Sequence, residues 1–296
     1  MSSVLVSRRP WRAFALVAAA YLLALLAAAA TLLLWPDRHP LGELLAADLA
    51  ATLVVFLASR ALDNSSVYDP YWSVAPMVVV IWFAAAPGAA LGWNARQWLV
   101  VGLVELWGAR LTYNWARGWA GLGHEDWRYV AQRVKFPRAY WLVSLAGLHL
   151  MPTLFVYLGL LPLYAVLVQC ARPLGVLDAA AALVTLAAIA VEALADEQLR
   201  TFRKTAKQDD VCDVGLWRVS RHPNYFGEIG FWVGLALFGA AAGAPLWAWS
   251  GVVAMIGLFV GISIPLAEAR SAARRADWAA YVRRTSMLVP WPSSGA

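Results

Sequence analysis

Apolar and polar positions along this chain fall in long blocks. Stretches of about 20 apolar residues, the length that crosses a bilayer as a helix, are broken by short charged or turn-forming clusters. Eight such stretches lie near 13–35, 42–59, 73–91, 97–115, 141–169, 174–195, 229–246 and 247–266. The fifth contains Pro152 and Pro162, which predict a kink, and the last two share a short Gly/Ala/Pro turn. The pattern predicts an all-α polytopic membrane bundle of about eight transmembrane helices, or seven if one run does not span.

The basic residues test this division, because cytoplasmic loops collect Lys and Arg. With the N terminus inside, 21 of the 24 Lys and Arg fall on the cytoplasmic side, leaving only Arg38, Arg96 and Arg172 outside. Dropping a middle helix would invert every later loop and erase the bias, so eight spans with both termini cytoplasmic is the expected topology. The first run could be mistaken for a signal peptide, but its roughly 23 apolar residues exceed the usual apolar region of about 7 to 15. It is expected to be an anchor helix.

Composition agrees with a membrane protein: 61% of residues are hydrophobic and only 14% charged, outside the range of ordinary soluble domains. Positive-inside topology accounts for the net charge of +6, which therefore gives no reason to expect nucleic acid. Cys170 and Cys212 are too few for a disulfide framework, and no metal-ligand spacing occurs, so no metal site is expected. No repeat and no glycine-rich phosphate loop is present, and no obligate protein partner is implied.

The polar chemistry gathers in four segments. They are "DNSSVYDPYW" from Asp63, "RLTYNWARGWAGLGHEDWRY" from Arg110, the region Glu192 to Glu228, and "EARSAARRADWAAYVRR" from Glu268. Glu192, Asp196 and Arg200 recur four residues apart and share a helix face that Arg203 and Lys204 continue. Ionisable residues at the edge of a span face a cavity or each other, so the stripe is either a site or a set of ion pairs with Arg200 snorkelling. With Lys207, Arg218 and Arg221 close behind, the segment suits a polyanion such as a dinucleotide phosphate, which Arg binds bidentately.

Within "GLWRVSRHPNYFGEIGFW", Pro223 predicts a turn before the seventh span. Asn224 is the expected N-cap, Gly227 allows close approach of a ligand or a helix, and Glu228 is expected in the first turn. Arg218, Arg221 and His222 then stand beside a helix N terminus that already favours an anion. Arg110, Asn114 and Arg117 share another helical face read as part of a pocket, while Trp115, Trp119 and Trp127 fit an interfacial belt.

That stretch resembles the C-terminal signature of the steroid 5-alpha-reductase and sterol-reductase superfamily, nearest its bacterial branch of unknown function. "RLTYNWARGW", "HEDWRY", "ADEQLRTFRK" and the Trp278/Tyr281 pair before "SMLVPW" are similar to that branch as well. The resemblance covers roughly residues 60 to 292. It leaves 1–60 as N-terminal membrane helices and makes 61–296 a reductase-like domain with a cytosol-facing pocket.

The resemblance implies a multi-pass membrane enzyme, by likeness of the bacterial inner membrane. Such an enzyme uses NADPH to reduce a carbon-carbon double bond conjugated to a carbonyl in a lipophilic, steroid- or isoprenoid-like substrate. Asp196, Arg200, Arg203, Asn224 and Glu228 match cofactor-contacting or supporting positions of the steroid reductases. Arg221, His222 and Tyr225 match the sterol-reductase pattern, and Arg270, Arg274 and Tyr281 lie where the superfamily completes the cofactor pocket. In the catalytic pair, Tyr68 and Asp69 of "YDPYW" stand near the acidic position, whereas Trp107 occupies the expected tyrosine position, a departure from the steroid pattern. Asp69 or Tyr68 would then donate to the carbonyl oxygen as enolate charge develops. "RHPxY" is shared with isoprenylcysteine and phospholipid methyltransferases. An S-adenosylmethionine-dependent methyltransferase therefore stays open as an alternative, as does a non-catalytic scaffold or transporter.

Overall fold

The computed structural model describes residues 10–35, 39–85, 93–170, 172–207 and 209–292, which form helices joined by short turns with no named strand. Arg8, Arg9 and Arg38, three of the basic residues counted for the topology, fall outside those residues, as does most of the terminal "PSSGA". The long helices are α1 (Pro10–Leu34), α2 (Pro40–Ala61), α3 (Tyr71–Ala85) and α4 (Ala95–Gly118). After the short α5 (Trp127–Lys135) come α6 (Tyr140–Gln169), α7 (Val176–Thr205), α8 (Pro223–Ala242), α9 (Leu246–Ala272) and the short α10 (Trp278–Arg284).

Seven helices among the described residues are long and apolar enough to cross a membrane, so the chain is a polytopic helical bundle. The eighth expected span forms as α4 but is not among the seven, because Arg96, Glu105, Arg110 and Arg117 dilute its apolar run. The fifth run is one continuous helix. It widens into π-helical turns at Ser144–Leu150 and Ala165–Gln169, and the carbonyl that the Pro152 ring meets, that of Leu148, lies inside the first of them.

Contacts divide the chain into two units. The first comprises Met1–Pro87 with Val104–Tyr157, the second Gly88–Leu103 with Leu158–Ala296. In the first unit, Ala13, Val17 and Ala24 of α1 pack with Ala51 and Val55 of α2 and with Val67, Tyr68 and Tyr71. Small residues on two helices let their backbones approach, the usual device where lipid supplies no hydrophobic drive. In the second unit α7 and α8 pack the same way: a Cβ added to Gly227 would stand 2.8 Å from the Ala188 carbonyl oxygen and 2.9 Å from Glu192 N. Of the two roles open to Gly227, close approach of a helix is the one it performs.

The start of α8 differs from expectation. His222 is the N-cap residue, Pro223 opens the helix and Asn224 is its second residue, so Asn224 does not cap. Glu228 lies beyond the first turn and accepts from Trp232 Nε1 at 2.9 Å. Proline already has the helical φ and lacks the N–H that a first-turn residue would leave unpaired, so Pro223 sets the boundary. Gly243, at φ 84°, ends α8 in the left-handed conformation that closes many helices.

Candidate functional site

In the second unit the stretch before α8 is held by the tail. Arg221 N donates to Ser286 O (2.8 Å), Ser220 Oγ to Leu288 O (2.7 Å) and Tyr281 Oη to Trp217 O (2.5 Å). The buried Arg221 side chain donates to Glu268 Oε1 (2.8 Å) and to the carbonyls of Thr285 (2.6 Å) and Val282 (3.3 Å). His222 Nε2 shares Glu268 Oε1 at 3.2 Å, and its ring stacks on Tyr225 with centroids 5.4 Å apart. The sequence motif and the tail are thus one hydrogen-bonded body, and the Arg221 guanidinium is spent on protein groups.

Burial pushes the His222 imidazole below its usual value of 6.5, with Glu268 opposing the shift. The unfolded chain therefore binds the extra proton first, and the stability this group provides is whole above pH 6.5 and lost as pH falls below it. Melting temperature should accordingly drop between pH 7.5 and about 5, and His222→Gln should flatten that drop. An unchanged slope in the variant would contradict the assignment.

The exposed cations are arranged differently. Arg203 and Lys204 end α7, Arg218 ends the 3-10 turn Gly215–Arg218, and Arg274 follows α9; all four side chains are exposed. With the half-buried Arg275 they form no ion pair among the described residues. Burial lowers the proton affinity of Arg275, and Arg203 and Arg274 lower it further, so each of those two guanidiniums lies within electrostatic reach of Arg275. Arg275, inside the quoted tail segment, was not singled out by sequence because nothing in its spacing reveals that it folds against Arg203. Arg200 pairs with Glu197 (2.5 Å) as a half-exposed ion pair along the helix. Asp196 and Arg270 are partly buried, and Asn224 keeps a buried Oδ1 with no hydrogen bond.

In the first unit the structure stitches the two loop motifs together. Asn64 Nδ2 donates to the carbonyls of Leu122 and His124, Ser65 N to Glu125 Oε1 (2.7 Å), and Asp126 N to Ser66 Oγ (2.9 Å). Tyr68 and Asp69, the expected catalytic pair, diverge: Tyr68 Oη bonds Thr153 Oγ1 (2.8 Å), whereas Asp69 Oδ1 accepts from Tyr129 (2.5 Å). Asn114 Oδ1 accepts from Arg117 Nε and Nη2 on an exposed face, so those two bind each other.

A cavity of about 230 Å³ opens among α1, α2 and α3, with apolar walls that include Leu32, Leu44, Val78 and Trp82. Its polar lining is one pair at depth, Tyr71 Oη donating to Asp48 Oδ1 at 2.7 Å, with Tyr21 beside it. Neither Tyr68 nor Asp69 lines it. Asp48 is an ionisable residue within a span, but it stands apart from the polar clusters, so the sequence pattern does not group it with a site.

Together these features define a polytopic α-helical membrane protein with exposed cations in its second unit and an apolar cavity holding one carboxyl–tyrosine pair in its first. The chain belongs to DUF1295, described as a protein family of unknown function, which matches residues 55–285 and lies in the steroid 5-alpha-reductase-like superfamily. It is also 29% identical over 254 residues to an uncharacterized protein of Schizosaccharomyces pombe, a match covering 77% of this chain and 73% of that one. No solved structure matches. The family match begins at residue 55, so α1 and Asp48 fall outside it.

Proposed function

We propose that this protein, nearest the bacterial branch of its superfamily, is a membrane reductase that uses NADPH to saturate a double bond conjugated to a carbonyl in a lipophilic molecule. The observation that carries the reading is that Arg203 and Arg274 both act on Arg275 while none of the three forms an ion pair among the described residues, a donor set that fits a polyphosphate. When bound, NADPH would supply a hydride. Arg203, Arg274 and Arg275 would hold its phosphates with help from Lys204 and Arg218, while Arg221 and His222 keep the tail in place around them. The apolar cavity of the first unit, taken by itself, suits a lipophilic molecule.

Purified protein in nanodiscs should bind NADPH with a Kd on the order of nanomolar to micromolar. Arg275→Ala should weaken that binding about 10- to 100-fold, the loss of one charge-assisted hydrogen bond. Arg221→Ala is a poorer probe, because it releases the tail. Absence of NADPH binding would sink the proposal, and tight binding of S-adenosylmethionine in its place would favour the methyltransferase, whose cofactor has no phosphates to neutralise.

A further inference from the structure

His149 is fully buried in the first π-helical turn of α6, yet both of its ring nitrogens are engaged. Nε2 stands 3.2 Å from Ser59 Oγ, and the single Ser59 hydrogen goes to Val55 O at 2.9 Å. Nε2 must therefore carry a hydrogen and donate it to Ser59. Nδ1 faces two groups of one residue, the Ser144 carbonyl oxygen at 2.9 Å and Ser144 Oγ at 3.4 Å. A protonated Nδ1 donates to the carbonyl, and a bare Nδ1 accepts from the hydroxyl. Both charge states of the ring are thus satisfied, whereas a histidine kept only for packing needs one.

A chain of hydroxyls leads away from Nδ1. Ser144 Oγ lies 3.0 Å from Ser65 Oγ, which lies 2.7 Å from Tyr140 Oη, and Tyr140 Oη donates to Glu125 Oε1 at 3.3 Å. Ser65, Ser144 and Tyr140 are buried. Glu125 is gripped by Arg133 (2.7 Å), which also pairs with Asp63 (2.8 Å), whose side chain is 77% exposed. The ring's other neighbours are Tyr68 and Phe56, with centroids at 4.7 and 5.3 Å, and no Asp, Glu, Lys or Arg bonds it among the described residues. The path from Nε2 stops at the Val55 carbonyl, so the hydroxyl chain is the ring's route outward.

We propose that these groups form a proton path in which His149 holds a proton within the apolar interior and Glu125 reloads it through Tyr140, Ser65 and Ser144. A protonated Glu125 gives its hydrogen to the Tyr140 oxygen as Tyr140 passes its own to Ser65, Ser65 to Ser144, and Ser144 to Nδ1. One O–H bond is lost at Glu125 and one N–H bond forms at His149; each hydroxyl ends with one hydrogen, and no electrons transfer. Afterwards Tyr140 donates to Glu125, the direction the structure records. Hydride reduction of a double bond consumes one proton per turnover, so the inference rests on the reductase reading for the use of the proton and on geometry alone for the path.

The test observes the ring directly, on full-length protein in nanodiscs with 15N-labelled histidine. The His149 resonance is assigned by its loss in His149→Asn, and exchange of the hydrogen at its Nδ1 with deuterated water is timed. Tyr140→Phe and Ser65→Ala should each slow that exchange about tenfold or more and leave His222 unchanged. Tyr140→Phe removes a single oxygen and keeps the result decisive if Ser65→Ala misfolds. Exchange at the wild-type rate in a folded variant would overturn the path. NADPH binding to the same samples decides the reductase reading separately.

Discussion

Arg96→Ala is expected to cost about 3–5 kcal/mol, a large share of the roughly 5–15 kcal/mol that holds a typical domain folded. Arg96 and Asp178 are each 97% buried and meet bidentately, Nε to Oδ1 at 2.8 Å and Nη2 to Oδ2 at 2.7 Å. The remaining donors reach the carbonyls of Arg172 (2.7 Å) and Pro173 (3.1 Å) and Cys170 Sγ (2.8 Å), while Asp178 Oδ2 also accepts from Gly175 N (2.8 Å). Alanine at either position strands a charge where water cannot reach it, and that stranded charge, more than the lost attraction, sets the magnitude. The double variant Arg96→Met/Asp178→Leu should recover most of the loss. Unfolding titrations in mixed micelles measure all three, and single variants within about 1 kcal/mol of wild type would refute the clamp.

Gly227→Ala is expected to be the most damaging glycine replacement on α8 that adds one carbon, at about 3 kcal/mol. The new Cβ would meet the Ala188 carbonyl oxygen and Glu192 N, and backbone atoms of a neighbouring helix cannot turn aside as a side chain can. Relief requires α7 and α8 to separate along their length, which loosens contacts on both sides of the substitution. Gly257→Ala is the control: its Cβ would meet nothing within 4 Å, so it should be neutral or slightly stabilising through helix propensity. Equal melting temperatures for the two variants would show that the approach at Gly227 does not matter.

Arg96 shows how far sequence reading reached. Counted by charge alone it was one of three residues breaking the positive-inside pattern, and nothing in its spacing pointed to Asp178, 82 residues away. Once paired it is a buried clamp and no longer an exposed cation on either side of a membrane. The "RHPNY" motif was recognised, and its capping misassigned, because proline, histidine and asparagine all suit a helix start and only the backbone angles show which residue takes the place. Tyr68 and Asp69 are the pair that the steroid-reductase resemblance implies, near its acidic position. In the turn leading into a helix such neighbours point in different directions: Asp69 pairs with Tyr129 instead, and a second carboxyl–tyrosine pair joins Asp48 to Tyr71 across two helices.

What the sequence determined by itself is the membrane bundle, its approximate spans and the concentration of cations near "LRTFRK" and "ARRADW". Those properties follow from apolar run length and local charge, which act over one or two helical turns and leave a periodic record. Only the tertiary structure decided which cations stay without an acidic partner, which polar residues enter the cavity, and that three hydroxyls connect Glu125 to His149. Those outcomes depend on which helix faces pack together. Between apolar helices the choice rests on close steric fit at glycine and alanine and on hydrogen bonds between residues far apart in the chain, neither of which leaves a local periodicity to read.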